Sequence, residues 1–291
     1  MPAYAKINLG LRILGKRPDG YHELETYFLQ IDLADQLVFE KRENEPGLTL
    51  TCNRPDIPVD ATNLCHRAYQ LICEAASRPL GVRLHLEKYI PAGAGLGGGS
   101  SDAAVTLAAL NRLFDLRLSN ARLYQLAAQL GSDVPFFLTG GLCLGRGRGE
   151  MLTPIARLPD FGILLVMPDI TVSTAWAYQN YNKLGLTNIQ KNRKLPSSNI
   201  WELLDHHFIE TCQNDLEVAV FEKYQKLAVI KSRLQESGAI VSSMTGSGAA
   251  MFGLFRTQQE AQDRKHLFDN YSTYVIRPIR WGIPQVYQMS Y

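Results

Sequence analysis

Residues 90–104 read IPAGAGLGGGSSDAA, five glycines ahead of two serines and an apolar run. Ordering so much glycine costs chain entropy, so a stretch like this constrains the fold around it. In return, its backbone can turn N–H groups inward and let an anion approach closely. Ser100 and Ser101 stand where a helix begins, so they add donors where the helix dipole already favours negative charge. A flexible turn closed by a serine cap is the plainer alternative, but a phosphate cradle accounts better for the glycine density.

Two familiar phosphate loops do not fit. Gly93, Gly95 and Gly98 match G-x-G-x-x-G, but a dinucleotide fold needs a βαβ unit with an acidic residue about 20 positions on. Here Pro91 separates strand from glycines, and the first helix leads through Asp115 into a second helix. Gly93, Gly98 and Ser100 approach G-x-x-x-x-G-K-[ST], yet Gly99 occupies the lysine position, so no side-chain cation reaches a nucleotide's outer phosphates from this loop.

The pattern before the loop is of strands. AKINLGLRI (5–13) alternates apolar and polar residues, which puts Lys6 and Asn8 on one face. KRPDG (16–20) is a turn, 24–40 alternates again, 62–76 is helical, and VRLHLE (82–87) is a strand feeding the glycines. After the loop come helices over 101–113 and 119–130, the second stopped by Gly131, then SDVPFF and a glycine-rich strand and turn. FGILLVM (161–167) restarts the pattern as a buried strand. A loop over 191–199, one long helix over 215–236, strands on either side of TGSG (245–248), a helix near 258–269 and strands near 273–278 and 281–288 complete it.

At 291 residues the chain suits two domains, which the pattern places at 1–157 and 158–291. A net charge of +2 without a basic run argues against nucleic acid as a partner. No apolar run approaches a membrane span, and the N-terminus opens on a patterned strand rather than a signal peptide. Cys52, Cys65, Cys73, Cys143 and Cys212 form no C-x-x-C pair, which reads as buried reduced thiols in a cytoplasmic protein.

Residues 91–101 resemble the ATP-phosphate loop of the GHMP kinases. Three further segments agree in order and spacing: AKINLGLRILGKRPDGYHELET (5–26), GSDVPFFLTGG (131–141) and TGSGAAMFGLF (245–255). The resemblance implies an α+β, two-domain fold, with a ribosomal-protein-like N-terminal domain and a ferredoxin-like C-terminal domain. It implies an ATP-dependent kinase with Mg2+, acting on a small-molecule alcohol. The extended glycine run resembles the branch of the family whose substrate is a cytidine diphosphate conjugate of methylerythritol. The form expected is a monomer or weak homodimer. GYH and GLGGGSS argue against homoserine, mevalonate or galactose kinase. A catalytically silent ligand sensor on the same scaffold would be expected to lack Lys6 or Asp133, and both are present.

The resemblance also assigns roles. Pro91, Ala92, Gly93, Ala94, Gly95, Leu96, Gly97, Gly98, Gly99, Ser100 and Ser101 form the ATP loop, with Asn63 and Lys88 along the adenine. Asp133 is the candidate base; its alternative is to cap the turn that VPFF begins. Lys6 is its candidate partner, since a cation there keeps an aspartate ionised and offsets developing charge. Asn8 is placed on the sugar-alcohol hydroxyls. Tyr21 stacks on the cytosine, His22 reads its edge, Tyr178 supplies the opposite face and Thr174 touches the substrate. The metal ligands stay unassigned. Asp102 reads as a first-turn acid complementing the helix dipole rather than as one of them. TGSG is expected beneath the phosphate loop, and the adjacent His206 and His207 point apart and make no metal pair.

Overall fold

The computed structural model describes residues 1–155, 161–185 and 212–279. Two sheets form the molecule. The first holds β1 (Pro2–Lys16), β2 (His22–Lys41), β3 (Gly47–Cys52), β4 (Gly81–Glu87), β5 (Leu142–Gly147) and β6 (Met151–Pro154). Its path is β3-β4-β2-β5-β6, with β1 paired along β2. The alternation over 24–40 belongs to one 20-residue strand, long enough for β1, β4 and β5 all to pair with it. Helices α1 (Leu64–Ala76), α2 (Gly98–Leu113), α3 (Asn120–Leu130) and α4 (Val134–Thr139) follow the expected breaks. Asn63 caps α1 by accepting from the Cys65 N–H, and Ser119 caps α3 in the same way from Arg122.

The second sheet has β7 (Gly162–Met167), β8 (Val241–Met244), β9 (Met251–Phe255) and β10 (Ser272–Ile276) in the order β10-β7-β9-β8, wholly antiparallel. Around it lie α5 (Thr174–Lys183), α6 (Glu217–Lys223), α7 (Gln225–Glu236) and α8 (Gln258–Arg264). A βαββαβ course with strand order 4-1-3-2 is the ferredoxin-like arrangement. One hydrophobic core spans both sheets: Ile7, Leu9 and Leu29 of the first pack with Ile163, Leu165, Phe252 and Leu254 of the second.

Several expectations need correction. The helix over 215–236 is two helices, broken at Tyr224, whose φ of −115° and ψ of 66° leave the helical region. Tyr224 meets Trp176 of α5 edge-on at 5.7 Å, so a tertiary contact holds the break. Of the five cysteines, all free, Cys52 and Cys73 are only half-buried. The 157/158 boundary, the 191–199 loop, His206, His207 and the strand at 281–288 lie outside the described residues.

Candidate active site

The site is organised along the edge of β1 that β2 leaves free. Four backbone N–H groups there reach other parts of the chain. Lys6 donates to Leu96 O of the glycine loop at 3.0 Å, and Leu11 to Gln213 O at 2.9 Å. Asn8 donates to Thr245 Oγ1 at 2.9 Å and Ile13 to Asp215 Oδ2 at 2.8 Å. The spacing 6, 8, then 11, 13 is strand period two interrupted by an irregularity between Asn8 and Leu11. A bare edge of this kind is a liability, and here its coverage brings the glycine loop and the TGSG turn onto one strand.

Side chains on this stretch converge. Lys6 Nζ donates to Asn8 Oδ1 at 2.6 Å and lies 3.5 Å from Asp133 Oδ2. Asn8 Nδ2 donates to Thr26 Oγ1 at 2.8 Å, and that hydroxyl donates to Gly10 O. Lys6 is 4% exposed and Asp133 35%, so the carboxylate faces the cavity while the ammonium is walled in. Asp133 precedes α4 with helical φ and ψ and makes no side-chain cap bond. The capping alternative is therefore not what its carboxylate does.

The glycine loop lies against this group. Gly93, Gly95 and Gly97 all have positive φ, at 68°, 79° and 71°. A Cβ on Gly97 would sit 2.8 Å from Phe137 Cζ and 3.1 Å from Lys6 Cγ, and one on Gly95 2.3 Å from Thr245 O. Those two glycines are required by protein packing. Gly99 differs: its nearest neighbour would be Leu64 Cδ1 at 3.8 Å, and it is exposed. Ala94 and Leu96 point into the core, so that part of the loop offers a ligand its backbone. Ser101 is buried, its hydroxyl donating to Tyr4 O.

Below the loop sits a buried ionic cluster. Lys88 Nζ binds Asp35 Oδ2 and, at 2.7 Å, Asp102 Oδ2. Asp35 Oδ1 accepts from the N–H groups of Tyr89 and Ile90, which fixes the chain entering the glycines. Asp102 is thus paired with a buried lysine rather than serving only the helix dipole, as the sequence suggested. It lies one turn inside α2 with Oδ1 unpartnered. Burial above all pushes its carboxyl up to about 7, Asp35 adding to the effect and Lys88 opposing it. For Lys88, the two carboxylates outweigh the opposing effect of burial and hold its ammonium above the usual lysine range.

A cavity of about 1010 Å³ joins these groups. Its walls include Asn63 and Lys88, the glycine loop up to Ser100, Lys6, Asn8 and Asp133, then Tyr21, His22, Thr174 and Tyr178, so of the residues given an ATP, catalytic or substrate role only the buried Ser101 lies off this space. Their local arrangement differs from expectation in places. Tyr178 stacks on His22, with centroids 4.9 Å apart and planes at 24°. Tyr21 is 55% exposed, and the Arg148 guanidinium lies 4.7 Å above its ring. His22 Nε2 pairs with Asn182 Oδ1 at 2.8 Å, and Thr174 Oγ1 with Ser247 Oγ at 2.8 Å. Burial, aided by the Asp133 charge, raises the Tyr178 phenol above its usual value and keeps it neutral. Both polar ends of the Asn63 amide are used locally, on Cys65 N and Pro58 O.

TGSG does lie against the glycine loop, as expected, but two side chains that fix it were given no role from the sequence. Thr245, inside TGSG, carries the turn onto Asn8. Asn214 Nδ2 donates to Met244 O at 2.8 Å and Gly246 O at 2.7 Å, so it sets the shape of that turn. Its only local signal is a polar residue just before a helix, where Asn is ordinary.

The family described as GHMP kinases N terminal domain matches residues 63–141, and GHMP kinases C terminal matches 190–268. A 4-diphosphocytidyl-2-C-methyl-D-erythritol kinase of Chlorobium chlorochromatii (strain CaD3) is 42% identical over 261 residues, 89% of each chain. The protein of that name from Thermodesulfovibrio yellowstonii is 38% identical over 285 residues, 95% of this chain and 96% of its own. A crystal structure of 4-(cytidine 5'-diphospho)-2C-methyl-D-erythritol kinase superposes with a TM-score of 0.79 at 35% identity, covering 96% of this chain and 98% of that one. A homoserine kinase from Cytophaga hutchinsonii, at TM-score 0.71 and 17% identity over 96% of this chain and 94% of its own, shares the fold.

Proposed function

The chain belongs to the 4-diphosphocytidyl-2-C-methyl-D-erythritol kinases of the GHMP family, and we infer from this that it transfers the γ-phosphoryl group of ATP to the 2-hydroxyl of 4-diphosphocytidyl-2-C-methyl-D-erythritol. The product is the 2-phosphate, and the step serves the non-mevalonate route to isoprenoid precursors.

The observation that carries the residue assignment is the Lys6 ammonium between Asn8 and Asp133, beside a glycine loop in one cavity. Asp133 accepts the proton of the 2-hydroxyl as its oxygen bonds to the γ-phosphorus. The bond to the β-phosphate oxygen breaks and ADP leaves. Lys6 offsets charge on the transferring group. Asn8 orients the alcohol, and backbone donors of the glycine loop hold the phosphates. Tyr21, His22, Thr174 and Tyr178 form the end of the cavity that takes the cytidyl group. Because His22 lies against Tyr178, the base enters between Tyr21 and that stacked pair, or the pair parts to admit it.

Magnesium fits the donor set. It keeps several waters and leans on phosphate oxygens rather than an all-protein cage. Among the described residues no group of three or more His, Cys, Asp or Glu forms such a cage, and the cavity's carboxylates are Asp133 and the buried Asp102. Bound with ATP, it would neutralise the outer phosphates, with Asp133 the carboxylate able to reach it. Free cysteines agree with a cytoplasmic location.

The deciding experiment offers a panel of alcohols with ATP and magnesium and reads ADP release. The cytidyl conjugate is expected to be used far better than its uridyl analogue, free methylerythritol phosphate, homoserine or mevalonate. Equal use of the conjugate and free methylerythritol phosphate would refute the cytidyl pocket.

A further inference from the structure

The TGSG turn meets the glycine loop and the catalytic strand through one hydroxyl. Thr245 is fully buried, and its Oγ1 accepts from the Asn8 N–H. That leaves one proton and two acceptors at nearly equal, long distances. Gly95 O of the phosphate loop is 3.4 Å away, and Asn8 Oδ1, which already holds Lys6 Nζ, is 3.5 Å away. A threonine hydroxyl donates once, so the two bonds exclude each other. At these lengths neither is at full strength, and a small shift of either acceptor decides between them.

We propose that Thr245 is a positioning residue that couples occupation of the glycine loop to the readiness of Asn8, so that nucleotide and acceptor alcohol bind cooperatively. The Gly95 carbonyl and the Leu96 N–H belong to one peptide unit. An anion that takes that N–H polarises the unit and makes Gly95 O the stronger acceptor, which draws the Thr245 proton to it. Asn8 Oδ1 then keeps Lys6 and has its second lone pair free for an alcohol O–H. Without nucleotide, Thr245 competes for that lone pair. Linkage makes the effect reciprocal: the acceptor tightens nucleotide binding by the same factor.

This proposal rests on the acceptor identified above. Calorimetric titration with 4-diphosphocytidyl-2-C-methyl-D-erythritol, without and with a saturating non-hydrolysable ATP analogue, measures the coupling directly. The wild-type protein is expected to bind about five-fold or more tightly with the analogue, the lower end of ordinary coupling. Thr245→Ser, which keeps the hydroxyl, should retain that ratio. Thr245→Val, which keeps the shape, should bring it close to one. A merely structural role would lower the melting temperature of Thr245→Val and leave the ratio alone. Should Thr245→Val not fold, Thr245→Ala reads the same ratio. A wild-type ratio near one, or an unchanged ratio in a folded variant without the hydroxyl, overturns the coupling while leaving the kinase reading in place. An acceptor that binds the wild-type protein under neither condition overturns both.

Discussion

Lys6 is nearly sealed from water, so its ammonium depends on the two oxygens it faces, Asn8 Oδ1 at 2.6 Å and Asp133 Oδ2 at 3.5 Å. The Asp133 side chain is also the more open of the pair, 35% exposed against 4% for Lys6, so it is the group an acceptor alcohol can approach. Asp133→Asn preserves shape and removes the proton acceptor; turnover should fall about 10²–10⁴-fold, with the Michaelis constants for both substrates changed little. Steady-state kinetics with a coupled ADP assay will show this, and near-normal turnover would remove Asp133 as base. Asp102 makes a different prediction. Its folded carboxyl is raised to about 7 by burial, so between pH 4 and 7 the native state holds a proton that the unfolded chain has lost. Its contribution to stability therefore falls as pH rises through that window and is level above it. Asp102→Asn should show a shallower decline in melting temperature from pH 4 to 7 than the wild type, and parallel profiles would refute the assignment. Strand alternation put Lys6 and Asn8 on one face, and it was the resemblance of the SDVPFF segment to the GHMP kinases that singled out Asp133 beside them. It gave no sign of the Lys88–Asp35–Asp102 cluster, because Asp35 and Asp102 lie far apart in the chain and only the folded backbone puts them around one lysine.

At the scale of elements, the glycine loop divides into residues that the protein needs and residues that a ligand needs. Gly97→Ala sets a methyl against Phe137 and Lys6 at a positive φ, and should cost about 1–3 kcal/mol by overpacking. Gly99→Ala has room and sits in the first turn of α2, so stability should hold or rise by about 0.4–1 kcal/mol. If phosphates approach there, the ATP Michaelis constant should rise in Gly99→Ala despite the sound fold. Chemical denaturation and kinetics on the two variants separate the roles, and an unaffected ATP constant in Gly99→Ala would take that glycine out of the cradle. Element boundaries were legible where they were locally encoded, as with the glycine that ends α3. The break between α6 and α7 was not. Glu222, Lys223, Gln225 and Lys226 suit a continuous helix, no Gly or Pro interrupts them, and the cause is Tyr224 meeting Trp176 from another element. Helix α5 was missed too, since its buried face amounts to Ala177 and Tyr181.

For the whole molecule, the decisive feature is that one core runs through both sheets. Two sheets with separate cores would melt apart; these should unfold together. Scanning calorimetry is expected to give one transition, raised as a unit by nucleotide. Phe252→Ala, at a fully buried position in the shared core, should lower stability by about 3–5 kcal/mol without splitting the peak. Two resolved transitions in either protein would refute the shared unit. The coverage of β1 has a consequence for how the chain is born. Arg12 and its partner Gln213 stand 201 residues apart, and the N–H groups of Leu11 and Ile13 also wait for that distant segment. At about 5–20 residues per second, the ribosome needs roughly 10–40 seconds to deliver it. Throughout that interval β1 has the far part of one edge unsatisfied, open to any other extended chain nearby. The strand that carries Lys6 is finished only long after it is made, so a nascent chain cut short of residues 213–245 is both catalytically idle and the form of this protein most exposed to misassembly.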